Sequence, residues 1–132
     1  QALRSGSEFA NIHVEAPDEC GHRGEAENKV ASIELIDREI LGCVLPALRG
    51  SGEAFSVLLM PDHPTPLSIR THTADPVPFA LYRSDTVPDT HWRAPAYTEA
   101  HAASTGLMIP AGHRMMEWLL RGQMPENFAK SC

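Results

Sequence analysis

Three short runs set aspartate and histidine beside residues that do not sit inside regular structure. They are Ala16-Pro17-Asp18-Glu19-Cys20-Gly21-His22, Pro61-Asp62-His63-Pro64-Thr65-Pro66 and Thr71-His72-Thr73-Ala74-Asp75-Pro76-Val77-Pro78. Proline fixes φ and lacks an N–H, and glycine admits conformations closed to other residues, so these runs are turns between elements. Asp18, His22, Asp62, His63 and His72 are therefore presented at element ends. Seven of the eleven prolines fall between 61 and 95, which marks one loop-rich region rather than general disorder. With 132 residues in all, the reading is one domain, 1–132, of ordinary globular composition.

Between the runs, periodicity predicts the elements. Phe9-Ala10-Asn11-Ile12-His13-Val14-Glu15 alternates between Gly6 and Pro17 and reads as a short strand. From about Glu25 to Leu48, Ile33, Ile36, Ile40, Val44 and Leu48 recur every three or four residues, the apolar stripe of a long helix, with Glu34 and Arg38 in the favourable i,i+4 order. Pro46 lies inside that helix. Its ring presses on the carbonyl of Gly42, where glycine leaves room, so a kink is expected rather than a stop. Ala54–Met60 is an almost continuous apolar run, as in a strand buried on both faces, and Val77–Tyr82 reads as another. Residues 83–97 form a polar loop, and a last helix runs from Ala111 to about Leu120. Strand, long helix and strand make a right-handed βαβ unit. The fold class expected is α/β, a partial and mostly parallel sheet with helices on both faces.

In an open α/β sheet, ligands bind beyond the carboxyl ends of the strands. Asp18 and His22 follow the first strand and Asp62 and His63 the second, while His72 precedes the third and must reach the same edge through its loop. Asp18 and His22 are four apart, so one helical turn puts both on one face. Two carboxylates and three imidazoles are the ligand mix of a divalent metal centre that polarises phosphate or sulfate oxygens. Taken singly, each Asp-His pair also reads as a capped turn, with Asp18 as the helix N-cap after Pro17. His13, His91, His101 and His113 read as structural or exposed.

A formal net charge of −6 gives no footprint for nucleic acid or for an anionic membrane. No apolar run approaches the roughly 20 residues of a membrane span. Cys20, Cys43 and Cys132 are an odd set without C-x-x-C spacing, which points to a reducing cytoplasm rather than a disulfide scaffold.

The three runs, in this order and extended to Ile12–Gly24, Pro61–Pro66 and Arg70–Pro78, resemble the archaeal-type 2,3-bisphosphoglycerate-independent phosphoglycerate mutases of the alkaline phosphatase superfamily. Tyr97-Thr98-Glu99 and Gly112-His113 are similar to that family's closing segment. The resemblance implies the carboxy-terminal part of an alkaline-phosphatase-like, two-metal domain. It implies manganese, with magnesium, cobalt or zinc as alternatives. Asp18, His22 and His72 would hold one ion, and Asp62 and His63 would help to hold the second. It also implies a serine that is phosphorylated and returns the phosphate to glycerate, interconverting 3- and 2-phosphoglycerate. Lys29, at the start of the long helix, is a candidate phosphate contact.

The chain departs from that family in lacking the serine nucleophile, an aspartate of the second ion and the inserted domain that clamps glycerate. Gly24-Glu25 stands where Gly-Asp is usual. The segment is therefore expected to be inactive without the amino-terminal part of the same protein, and a sheet without its partner strands is prone to self-association. Two other readings stay open: a phosphatase, phosphopentomutase or phosphonate-processing relative, and a non-catalytic module that binds metal or a protein partner.

Overall fold

The computed structural model describes residues 3–86 and 96–122, and the chain divides into two compact units. The first comprises residues 1–45 and 65–72 and the second residues 46–64 and 73–132. Helices and one small sheet are the regular elements among the described residues, with long irregular stretches such as 60–79 between them.

The first unit is built on a helix pair. Helix α1, Ala16–Arg23, opens with Pro17 in its first turn, where the missing N–H costs no hydrogen bond. Asp18 and Glu19 lie in that turn and His22 and Arg23 in the last, the charge order that the helix dipole favours. The helix closes in a Schellman arrangement: Glu25 N donates to Cys20 O (2.9 Å) and Gly24 N to Gly21 O (3.1 Å). Gly24 has φ +72°, and its absent side chain leaves room for the Arg70 guanidinium, whose Nε would lie 2.7 Å from a β-carbon there.

Helix α2, Ala26–Leu35, packs against α1. It runs on as a π-helical stretch, Ile36–Leu41, and then as α3, Gly42–Arg49. The long helix expected from the apolar stripe is thus present, and it passes through Pro46 without stopping. The departure from α geometry lies just upstream, where Gly42 N–H reaches Asp37 O, five residues back. Arg38 pairs with Glu39 (2.8 Å) rather than with Glu34 one turn away. The expected strand Phe9–Glu15 has no ladder partner among the described residues. Phe9, Ile12 and Val14 keep 44%, 57% and 36% of their surface exposed, so the alternating pattern is there without a sheet to receive it.

The second unit carries the sheet. Strands β1, Ser56–Leu59, and β2, Ala80–Arg83, pair antiparallel with Val57 opposite Tyr82 and Leu58 opposite Leu81. The mostly parallel sheet expected from the sequence is not what these two strands form: the chain turns back between them, and no helix crosses over to make them parallel. Ser84 closes the end of the ladder. Its N–H donates to Phe55 O (2.9 Å) and its hydroxyl accepts from Phe55 N–H (2.8 Å). Helix α4, Glu99–Ser104, was not expected. Thr98 caps it by accepting from His101 N (3.2 Å). The last helix begins as a 3₁₀ turn at Gly112–Arg114 and continues as α5, Met115–Arg121, packed on β1. Phe79 meets Trp118 edge to face at 6.0 Å, and Met115, one turn before Trp118 on α5, is buried at 3% exposure. Much of the expected polar loop, 87–95, lies outside the described residues. No helix among the described residues is long and apolar enough to cross a membrane.

Candidate metal centre

Asp18, His22 and His72 come together in the first unit, and they are the one three-ligand group of His, Cys, Asp or Glu among the described residues. Helix α1 supplies the first two. Their four-residue spacing lays the side chains along one face, with His22 Nε2 3.4 Å from Asp18 Oδ2. Asp18 sits in the first turn and is not the N-cap, a place held by Glu15. His72 arrives at the end of the 65–72 loop, its Nε2 3.4 Å from Asp18 Oδ1 and 3.0 Å from His22 Nε2. The two imidazoles are tilted by 51° with centroids 4.9 Å apart, so they converge on a point rather than stack.

Those three separations test whether a metal fits. Donors about 2.1 Å from a shared ion stand roughly 3.0 Å apart at a right angle and roughly 3.4 Å apart at the tetrahedral angle. The nitrogen–nitrogen side falls in that range, as does each imidazole's nearest approach to the carboxylate, His22 at Oδ2 and His72 at Oδ1. Two imidazoles and one carboxylate are a catalytic donor set that leaves coordination positions open. With His72 half exposed and Asp18 and His22 about one-third exposed, the open side faces solvent.

The ligand atoms are aimed by their neighbours. His22 Nδ1 lies 3.0 Å from Arg70 O. A carbonyl only accepts, so this partner assigns the proton to Nδ1 and leaves Nε2 bare in the neutral ring, the tautomer a metal requires. Arg70 has φ +54°, a left-handed conformation costing a non-glycine residue roughly 1–2 kcal/mol, and it is the residue whose carbonyl meets His22. Asp18 Oδ1 accepts from the hydroxyl of Thr65, which is buried.

Asp62 and His63 belong to the second unit, where His63 Nε2 stands 3.4 Å from Asp62 Oδ2 and His63 N donates to Asp62 Oδ1 (3.1 Å). Lys29, the candidate phosphate contact, donates from Nζ to Thr65 O at 2.6 Å. Thr65 and Arg70 were not singled out by sequence reasoning. Thr65 between two prolines was a usable signal, whereas a backbone carbonyl leaves no mark in residue type.

A metalloenzyme superfamily model matches residues 1–121. The chain is 43% identical over 111 residues to the 2,3-bisphosphoglycerate-independent phosphoglycerate mutase of Methanothrix thermoacetophila, covering 84% of this chain and 28% of that protein. It is 53% identical over 74 residues to the enzyme of that name from Methanosarcina acetivorans (56% and 19%). It is 40% identical over 113 residues to a probable one from Geobacter sulfurreducens (86% and 28%). The chain thus spans less than a third of the length of these relatives. No solved structure matches. A family match over nearly the whole chain, with two imidazoles and a carboxylate gathered within reach of one ion, places this chain in the metalloenzyme superfamily.

Proposed function

We propose that this chain is the metal-holding, carboxy-terminal part of a cofactor-independent phosphoglycerate mutase that interconverts 3- and 2-phosphoglycerate in cytoplasmic glycolysis. The observation that carries the reading is the Asp18, His22 and His72 triangle, standing on two of the runs that resemble that family. In the whole protein these three would hold one divalent ion, and Asp62 and His63 would give part of a second site. Manganese is the expected ion, with magnesium, cobalt and zinc as alternatives. Such ions, when bound, supply charge neutralisation at phosphoryl oxygens and lower the pKa of a hydroxyl nucleophile.

This chain's contribution is to hold and orient. The Arg70 carbonyl keeps His22 in the ligating tautomer, and α1 fixes the Asp18 to His22 spacing. Lys29 has three N–H donors and gives one to Thr65, so it can also meet a substrate phosphate. The serine nucleophile and glycerate clamp belong to the rest of the protein, and both units here belong to its one metal-binding domain. Residues 9–15, with their exposed apolar side chains, would join a larger, mainly parallel sheet there.

The test uses the full-length protein that contains this segment, stripped of metal and titrated with manganese while mutase activity is followed. His72→Ala should remove one manganese site per chain and lower activity by at least about a hundredfold. Unchanged manganese stoichiometry and affinity would refute the assignment.

A further inference from the structure

The 65–72 loop does more than deliver His72. Its first residue, Thr65, is 5% exposed and lies between Pro64 and Pro66, whose rings fix their own φ and restrict the residue before each. The loop folds back on itself through Ile69 N and Arg70 N, both donating to Pro66 O (3.2 and 2.9 Å). Three bonds tie it to the α1–α2 pair: the Thr65 hydroxyl to Asp18 Oδ1, Lys29 Nζ to Thr65 O, and His22 Nδ1 to Arg70 O.

Thr65 also has a shaped seat. A β-carbon on Gly21 would stand 2.6 Å from Thr65 O and 2.8 Å from Thr65 Cγ2, so the threonine methyl and carbonyl rest directly on the glycine of α1. The methyl fixes the rotamer and the rotamer aims the hydroxyl. The hydroxyl in turn engages Asp18 Oδ1, the oxygen nearer His72, and so fixes the plane in which the carboxylate presents Oδ2 to His22 and Oδ1 to His72.

We propose that Thr65 is the positioning residue of the metal centre. It orients the Asp18 carboxylate between the two imidazoles through its hydroxyl and is itself held by Lys29 and Gly21. The inference rests on the Asp18, His22, His72 metal reading. An outer partner of this kind is typically worth 10- to 100-fold in metal affinity. Thr65→Val keeps the shape and removes the donor, Thr65→Ala removes both methyl and donor, and Thr65→Ser keeps the donor alone.

The experiment is calorimetric titration of the metal-stripped, full-length protein with manganese, then with zinc. Melting curves in chelator check that each variant is folded. Thr65→Val and Thr65→Ala should each weaken manganese binding at one site by about 10- to 100-fold, and Thr65→Ser should stay within about threefold of the parent. Lys29→Met, which spares the hydroxyl, should weaken it by about threefold to tenfold. His72→Ala in the same series must abolish that site. If His72→Ala has no effect, the metal reading itself fails. If it abolishes the site while Thr65→Val and Thr65→Ala bind as tightly as Thr65→Ser, the metal reading stands and the role of Thr65 is overturned. Should Thr65→Val not fold, the Ala and Ser pair gives the same comparison.

Discussion

Gly21→Ala sets two effects of opposite sign against each other. Gly21 is a buried, interior residue of helix α1, so helix propensity alone says that alanine should stabilise by about 1 kcal/mol. The added β-carbon would stand 2.6 Å from Thr65 O, where ordinary contact begins near 3.4 Å, and 2.9 Å from Lys29 Nζ. The lysine tip can swing aside. The Thr65 carbonyl is backbone between two prolines and must retreat by about 0.8 Å, an overpacking that costs about 1–3 kcal/mol. That movement also disturbs the bonds Thr65 makes to Lys29 and Asp18, worth about 1 kcal/mol or more together. The net expectation is destabilisation by about 1–3 kcal/mol, with manganese affinity lowered about tenfold. Gly42→Ala is the matched control, because it too is helical (φ −59°) but its nearest outside atom would be Asp37 O at 3.5 Å, an ordinary contact. It should stabilise by up to about 1 kcal/mol. Denaturant unfolding of the full-length protein in chelator, with manganese titration alongside, reads both. If Gly21→Ala stabilises as Gly42→Ala does, the close seat of Thr65 on α1 is wrong.

Two further expectations concern the second unit. Burial, with the charge of Glu99 second, pushes the Tyr97 phenol up to about 12, and its hydroxyl donates to Pro78 O at 2.9 Å. A folded-state value above the ordinary one, about 10, means that this contribution to stability is complete below pH 10 and is lost as pH rises through 12. Tyrosinate absorbance should therefore show a late phase near pH 12 that Tyr97→Phe removes, and a late phase surviving that change would assign it elsewhere. Thr98→Ala should cost α4 about 1 kcal/mol, seen as roughly fivefold faster amide exchange within Glu99–Ser104; unchanged exchange would mean that the cap to His101 N is not formed.

What could be read from the sequence was local, and what could not was pairing. The Asp18 to His22 spacing and the 26–49 helix depend on a 3.6-residue period that any stretch of chain carries within itself. Thr98 followed by Glu99 and three alanines among the next four residues is a helix start of the same kind. The sheet is different. A run such as Val57-Leu58-Leu59 says that a strand will be apolar on both faces, but the direction of its neighbour is set by the route of the chain between them. Phe9–Glu15 makes the point from the other side, since its alternation is clear and no partner meets it among the described residues.

The same division runs through the metal centre. Candidate donors are residue types and can be read, whereas the groups bonded to them are a threonine hydroxyl and the carbonyl of a left-handed arginine, neither of which stands out in the sequence. Lys29 shows what residue type leaves open at this level. An ammonium suits a phosphate, and here it donates to a backbone carbonyl of the loop that carries His72. Removing that lysine should therefore be felt first in metal affinity, with any effect on substrate binding following from it. A Lys29→Met variant whose apparent KM for phosphoglycerate rises while manganese affinity is unchanged would reverse that order and return Lys29 to the substrate.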